Sequence, residues 1–231
     1  MLCRACAYID GFNVYYGAVK ETPYKWLDLY KLSEYLLPAM STLKYVKYFT
    51  AKVKEMGDKS RPIRQEKYWN ALEALYGKDR FRIIRGNFTV KNKVFRISKQ
   101  QWDTESAFVK NKATKNSIWV MKSEEKGSDV NAGVNLVIDA FQDEFDYALV
   151  ISNDTDLTTA VEYVKKNLSK KVYLASPLIW GKKSVHVKLK MACTKTVEFD
   201  QQDLMELQLP NTIPNTTISK PPDWDKSGFR A

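Results

Sequence analysis

Four aspartates stand where the chain leaves or enters apolar runs. Asp10 closes the run over residues 2–9 and precedes Gly11. Asp154 and Asp156 follow the run Tyr147–Ser152, in Ser152-Asn153-Asp154-Thr155-Asp156. Asp129 opens the stretch that begins at Val130. If both runs are parallel strands, Asp10, Asp154 and Asp156 share the carboxyl edge of one sheet, where open α/β folds take ligands. Crowded carboxylates repel and cannot all stay ionised. A hard divalent cation, Mg2+ or Mn2+, removes that repulsion. It would also activate water and stabilise charge on a transferring phosphoryl group. Each acid has a local reading too. Asp129 and Asp154 could cap helices, Asp156 suits a first turn, and Asp10 could bond the turn that Gly11 permits. Three caps at one sheet edge would be a coincidence.

Other chemistries lack their residues. His186 is the one histidine and has no triad around it, which sets aside Ser-His-Asp and Cys-His hydrolysis. No GxGxxG follows the first run and no GxxxxGK[ST] occurs, so dinucleotide and P-loop readings lack their phosphate loops, and a dehydrogenase or hydroxylase lacks a cofactor loop. A haloacid-dehalogenase-like phosphatase needs a second Asp two residues after the nucleophile, and Phe12 occupies that position. Cys3, Cys6 and Cys193 are an odd count; Cys3 and Cys6 have CxxC spacing without partner ligands, which favours buried thiols in a reducing cytoplasm.

The net charge is +10, unevenly placed. Residues 44–126 hold 21 basic against 9 acidic residues, while 127–164 hold 8 acids and neither Lys nor Arg. Basic residues interleaved with Tyr45, Tyr48, Tyr68, Trp69, Phe81, Phe88, Phe95 and Trp102 could track a phosphate backbone and stack bases. Equally, the aromatics could be core and the lysines a solvated face.

The elements that must position the aspartates follow from periodicity. Strands are expected at 2–9, Tyr45–Val53, Phe81–Ile84, Tyr147–Ser152, Lys171–Ala175 and Thr196–Phe199. Helices are expected at Leu27–Leu37, at Ser60–Tyr76 with Ser60 as cap, Pro62 in the first turn and Gly77 as stop, and at Leu157–Leu168. Val130, Val134, Val137, Ile138 and Phe141 mark another helix, with that stripe as its apolar face. Repeated strand–helix alternation predicts a parallel sheet with helices on both faces. Residues 87–123, with β-rich pieces at Val90–Ile97 and Ser117–Met121, read as an inserted hairpin or arm. The body spans 1–208, and 209–231 reads as an extended, Pro-rich tail that Trp224 inclines toward docking. No run of apolar residues is long enough to cross a membrane.

Asp10-Gly11-Phe12-Asn13, Lys126-Gly127-Ser128-Asp129-Val130-Asn131 and Ser152-Asn153-Asp154-Thr155-Asp156-Leu157 resemble, in order and separation, the motifs of the NYN family of PIN-like nucleases. A bacterial subgroup is also similar in Thr22-Pro23-Tyr24-Lys25-Trp26-Leu27-Asp28-Leu29, in Gln208-Leu209-Pro210 and in Lys220-Pro221-Pro222-Asp223-Trp224. The resemblance implies a Rossmann-like PIN fold and a cytoplasmic Mg2+- or Mn2+-dependent endoribonuclease. Its metal ligands would be Asp10, Asp129, Asp154 and Asp156, with Asn13 placing water or phosphate and Ser152 and Asn153 supporting the loop. Because His186 lies outside these motifs, the nucleophile would be metal-bound water. The alternative is a non-catalytic RNA-binding or regulatory module of the same fold. RNA, single-stranded where aromatics stack bases, a second copy of the chain and a regulatory protein are the partner classes implied; a membrane is not among them.

Overall fold

The first strand sends its side chains alternately into two apolar layers. In the computed structural model, which describes residues 2–55, 57–96, 117–180 and 185–225, β1 (Cys3–Asp10) buries Ala5, Ala7 and Ile9 in one layer and Cys6 and Tyr8 in the other. A strand covered on both faces must be apolar throughout. The same alternation sends Cys3 and Cys6 to opposite faces, so the CxxC spacing cannot make a joint metal site.

After β1 the chain turns straight into α1 (Gly11–Val14), then a wide turn over Tyr15–Val19 and α2 (Leu29–Leu36). There follow β2 (Ser41–Thr50), α3 (Arg61–Tyr76), β3 (Phe81–Arg85) and the arm strands β4 (Asn87–Arg96) and β5 (Ser117–Lys126). The second half comprises α4 (Ser128–Phe141), β6 (Tyr147–Ile151), α5 (Thr158–Asn167), β7 (Lys171–Ala175), α6 (Val187–Ala192), β8 (Lys195–Val197) and α7 (Gln201–Glu206). Six strands pair in the order β3-β2-β1-β6-β7-β8, all parallel. One layer takes residues of α2, α3 and α7, and the other takes residues of α4, α5 and α6. The doubly covered, Rossmann-like sheet expected from the sequence is thus present. Its order changes direction between β1 and β6, the place where such sheets form a crevice.

Several boundaries move. The strand expected from Tyr45 begins at Ser41, because Ser41–Leu43 pair with Cys3–Ala5. The cap of α2 is Asp28, whose carboxylate accepts the Lys31 amide at 3.1 Å. Ser60 makes no cap bond to α3; its amide and hydroxyl both donate to Asp58, which holds the turn instead. β4 and β5 pair antiparallel as a separate two-stranded ribbon. Of the β-rich piece Val90–Ile97, Ile97 lies outside the described residues, as do residues 98–116 of the arm and 226–231 of the tail.

The tail is docked. Trp26 Nε1 donates to the Pro210 carbonyl at 2.8 Å, and the Leu209 amide donates to the Trp26 carbonyl at 2.9 Å. Trp224 meets Trp26 and Tyr68 edge-on, with ring centres 5.9 and 5.8 Å away. The two sequence stretches around Trp26 and Trp224 are therefore one packing unit. No helix among the described residues is long and apolar enough to cross a membrane.

The stripe expected to bury α4 faces outward. Val130, Val134, Ile138 and Phe141 are exposed, while Ala132, Gly133, Leu136 and Ala140 are buried. The small residues let α4 lie close to α5: a Cβ on Gly133 would come 3.5 Å from that of Ala160. The larger apolar residues on the other face carried the periodic signal, but the close approach selects the small ones.

Candidate functional site

Asp10 ends β1 with its carboxylate 7% exposed. It caps α1: Oδ1 accepts the Asn13 amide at 3.0 Å, and Oδ2 accepts Asn13 Nδ2 at 2.6 Å and Ser152 Oγ at 3.2 Å. Burial raises its proton affinity above that of an ordinary carboxylate, and Asp154 adds to the rise, while the Asn13 and Ser152 hydrogen bonds hold it down. The loop after β6 is tied to the same place. Asn13 Oδ1 accepts the Asn153 amide at 3.3 Å, and Ser152 Oγ accepts the Asp154 amide at 3.1 Å. Asn153 Oδ1 in turn accepts the His186 amide at 2.8 Å, so His186 contributes backbone rather than its ring.

Asp129, Asp154 and Asp156 each offer a carboxylate oxygen, and these oxygens lie within 4.8 Å of one another. Asp129 is in the first turn of α4, and Asp154 accepts the Asp156 amide at 3.0 Å in a short turn before α5. Asp10 is not one of that three-oxygen group, but it borders the same hollow as Asp129 and Asp154, a space of about 470 Å³. The local and the collective readings of these acids hold together: all four serve caps or first turns, and all four collect at one sheet edge. Such a cluster has the geometry to share a cation, and exposed carboxylates also lie this close without one.

Sequence reasoning missed Glu125. From the end of the arm its Oε1 accepts the Ser128 amide at 2.9 Å, so it closes the start of α4 and adds a fifth acid to the rim. No motif marks it, since the arm brings it there by pairing Phe88 with Glu125.

The basic, aromatic middle segment does not form a stacking track. Tyr45, Tyr48, Tyr68, Trp69 and Phe81 are buried in the core. Phe88 and Phe95 keep partial exposure on the arm, and Trp102 lies outside the described residues. Lys47 is buried as well, paired with Asp139 at 2.7 Å. Asp139, late in α4, is 4% exposed.

A second hollow of about 200 Å³ opens on the other side of α1. Phe12 borders both spaces and stacks between Tyr16 and Phe88, with ring centres 6.3 and 6.2 Å away. Gly11, Tyr48, Tyr68 and Trp224 wall the second hollow, and Lys25, Arg61 and Arg64 line it.

No protein-family model matches the chain. The chain is similar to a protein of unknown function from Vibrio parahaemolyticus RIMD 2210633, whose crystal structure superposes with a TM-score of 0.51 over 90% of this chain and 97% of that one. At 16% identity the likeness concerns the fold. A stronger relationship is in sequence: 31% identity to the 6-hydroxy-3-succinoylpyridine 3-monooxygenase HspA of Pseudomonas putida (strain DSM 28022 / S16), over 96% of this chain and 75% of that protein. This overturns the expectation of an endoribonuclease with Mg2+ or Mn2+ as cofactor, and with it the hydrolase, RNA-module and phosphatase readings. An acidic cluster at a sheet edge is common to several chemistries, and carboxylates there do not by themselves select hydrolysis. The chain belongs to the family of the 6-hydroxy-3-succinoylpyridine 3-monooxygenase HspA.

Proposed function

We propose that this protein is an oxidoreductase, a monooxygenase that hydroxylates a small aromatic ring of the hydroxypyridine type. The observation that carries this reading is the relationship to HspA along nearly the whole chain. Three free cysteines and the absence of a membrane-crossing helix among the described residues suit a cytoplasmic enzyme.

A nucleotide redox cofactor does not fit where a Rossmann-like sheet ordinarily takes its pyrophosphate. That place is the first strand-to-helix turn, where free amides and glycines receive the phosphates. Here the Asp10 carboxylate already accepts the Asn13 amide. Asp129 and Asp154 add negative charge at the same edge. Gly11 is closed over by the Tyr48 ring, 2.7 Å from where a Cβ would stand. A phosphate would meet the carboxylates of Asp10, Asp129 and Asp154 at this edge.

The residues that are present can manage a proton. Asp10, Asn13, Asp129, Asp154 and Asp156 form the polar side of the proposed site. A carboxylate that accepts the proton of a ring hydroxyl raises the ring's electron density, which favours attack by an electrophilic oxygen. Asp10 suits that role because burial already raises its proton affinity toward the range of a working base. The motifs that resemble those of NYN domains are, in this reading, the frame of the site.

The test is incubation of the full chain with hydroxypyridine carboxylates, a reduced nicotinamide, free flavin and isotopically labelled dioxygen. One labelled oxygen atom should enter the ring, and Asp10→Asn should abolish the product while the protein stays folded. Failure to oxygenate any hydroxypyridine or phenol under these conditions would overturn the proposal.

A further inference from the structure

We propose that the hollow between α1 and α3 binds an aromatic carboxylate, with Arg61 as the group that receives the carboxylate and Lys25 as its neighbour. This deepens the monooxygenase reading by naming the anchor of the substrate. It rests on that reading for the ring that would be oxidised, and on the cavity alone for the binding.

Size comes first. The hollow measures about 200 Å³. A cavity of roughly 150 Å³ holds a benzene ring. One substituted ring therefore fits. The walls select the same class. Phe12, Tyr15, Tyr48, Tyr68 and Trp224 surround the space, and aromatic rings prefer stacked or edge-on aromatic neighbours.

Charge then sets the polarity of the ligand. Three cationic side chains and one acid, Asp223, line the hollow. Asp223 is already engaged, 3.2 Å from Arg64, and Arg64 is held as well by Asp58 and Ser60. Arg64 is thus a spent cation that fixes the tail against α3. Lys25 donates to the Thr22 carbonyl at 2.8 Å and has no carboxylate partner among the described residues. Burial, then the nearby charge of Arg64, lower its hold on its proton; Glu21 opposes that and Lys220 adds to it. Arg61 makes no side-chain hydrogen bond or ion pair to another described residue. Two other polar walls are satisfied: Gln65 bonds both Ala51 and Val53, and the Tyr68 hydroxyl donates to the Leu27 carbonyl. What is left without a partner in the hollow is positive charge. A guanidinium takes a carboxylate through two parallel hydrogen bonds, which fixes the orientation of the acid as well as its position.

Orientation links the two hollows. A ring anchored by its acid near Arg61 lies against Tyr48 and Phe12, and Phe12 is also a wall of the acidic hollow. The tail completes the enclosure through Trp224.

Calorimetric titration of the full chain with a hydroxynicotinate and with its uncharged amide tests the proposal, with Trp fluorescence as a second readout. The acid should bind and the amide should bind at least about 10-fold more weakly, because a charged hydrogen bond is lost. Arg61→Gln should weaken acid binding roughly 10- to 100-fold and leave amide binding unchanged, and Arg61→Lys should recover part of the loss. Ile138→Gln, on the exposed face of α4 and lining neither hollow, should bind the acid as the parent does. Arg61 is half-exposed at the start of α3, so the fold tolerates these changes, and a thermal melt checks it. Equal binding of acid and amide, an Arg61→Gln variant with parental affinity, or no binding at millimolar concentration would each overturn the site. If the acid binds through Arg61 but no ring is oxygenated, the catalytic reading fails and this site stands. If rings are oxygenated and Arg61→Gln changes nothing, this site fails and the catalytic reading stands.

Discussion

Gly11 lies face to face with the ring of Tyr48, so close that a Cβ on Gly11 would stand 2.7 Å from Cε2, Cζ and Oη. The glycine after Asp10 is therefore required by an aromatic neighbour on β2, and not by the approach of a phosphate. Tyr48 is buried and packs against Phe81 with ring centres 6.0 Å apart. Its free direction is into the hollow that both residues wall.

Gly11→Ala should accordingly push Tyr48 into that hollow. The expected loss of stability is about 1–3 kcal/mol, typical of an overpacked core, together with weaker binding of aromatic acids. In a Tyr48→Ala background the same substitution should cost much less, a coupling of about 0.5–3 kcal/mol. Denaturant unfolding of the four proteins of this cycle measures it. A cost of equal size in both backgrounds would mean that Tyr48 is not the obstacle.

Lys47 and Asp139 make a second long-range pair that no pattern announces. Lys47 Nζ donates to Asp139 and to Asn135 Oδ1 at 2.8 Å, and the Tyr8 hydroxyl donates to Asp139 Oδ2 at 2.7 Å. Both charges are buried between β2 and α4. Lys47→Met should cost about 3–5 kcal/mol, since it strands a buried carboxylate. The double variant Lys47→Met with Asp139→Leu should be less destabilised than Lys47→Met alone, because no charge is left unpaired. Simple additivity of the two single losses would contradict this account.

These pairs show where the sequence is legible. β1 from Ala5 to Ile9 and β6 from Tyr147 to Ile151 are apolar because both faces are covered, so their ends, and Asp10 and Asp154 at those ends, can be read directly. The order of alternating strands and helices then yields the sheet. Lys47 and Asp139 are 92 residues apart, and their partnership exists only in the folded sheet. Glu125 reaches the rim through strand pairing in the arm, which has no spacing signature. The hollow beside Gly11 combines residues of α1, β2, α3 and the tail, and its tyrosines read in sequence as a surface for bases. The chemistry was the least legible of all, because carboxylates at a sheet edge fix a polarity and not a reaction.

On α4 the outward apolar stripe should be nearly silent to stability. Ile138→Gln, at a position 46% exposed, should change unfolding free energy by no more than about 0.5 kcal/mol. Leu136→Ala, at a buried position two residues earlier, should cost about 2–5 kcal/mol. Urea unfolding of the two variants decides which face of the helix is the core. A larger loss at Ile138 would restore the face that periodicity suggested.

Asp28 gives a pH dependence whose sign can be worked out. It is fully buried and caps α2 through the Lys31 amide, while the Tyr76 hydroxyl donates to its Oδ2 at 2.6 Å. Burial raises its proton affinity, and the Tyr76 and Lys31 hydrogen bonds only partly offset that. The folded protein therefore binds this proton more tightly than the unfolded chain, whose carboxylate titrates near pH 3.9, about the usual value. The contribution of Asp28 to stability is complete below that pH and is lost as pH rises through the raised folded value, beyond which it is constant. Asp28→Asn keeps an oxygen for the cap and carries no charge to bury. Relative to the parent, the Asn variant should thus gain stability as pH rises from about 4 toward neutrality. Asp28→Ala should lose about 0.5–2 kcal/mol with the cap at any pH. Denaturant midpoints of the three proteins at acidic and neutral pH provide the comparison. An advantage of the Asn variant that shrinks with rising pH would reverse the sign and show that the hydrogen bonds, not burial, set the affinity of this carboxylate for its proton.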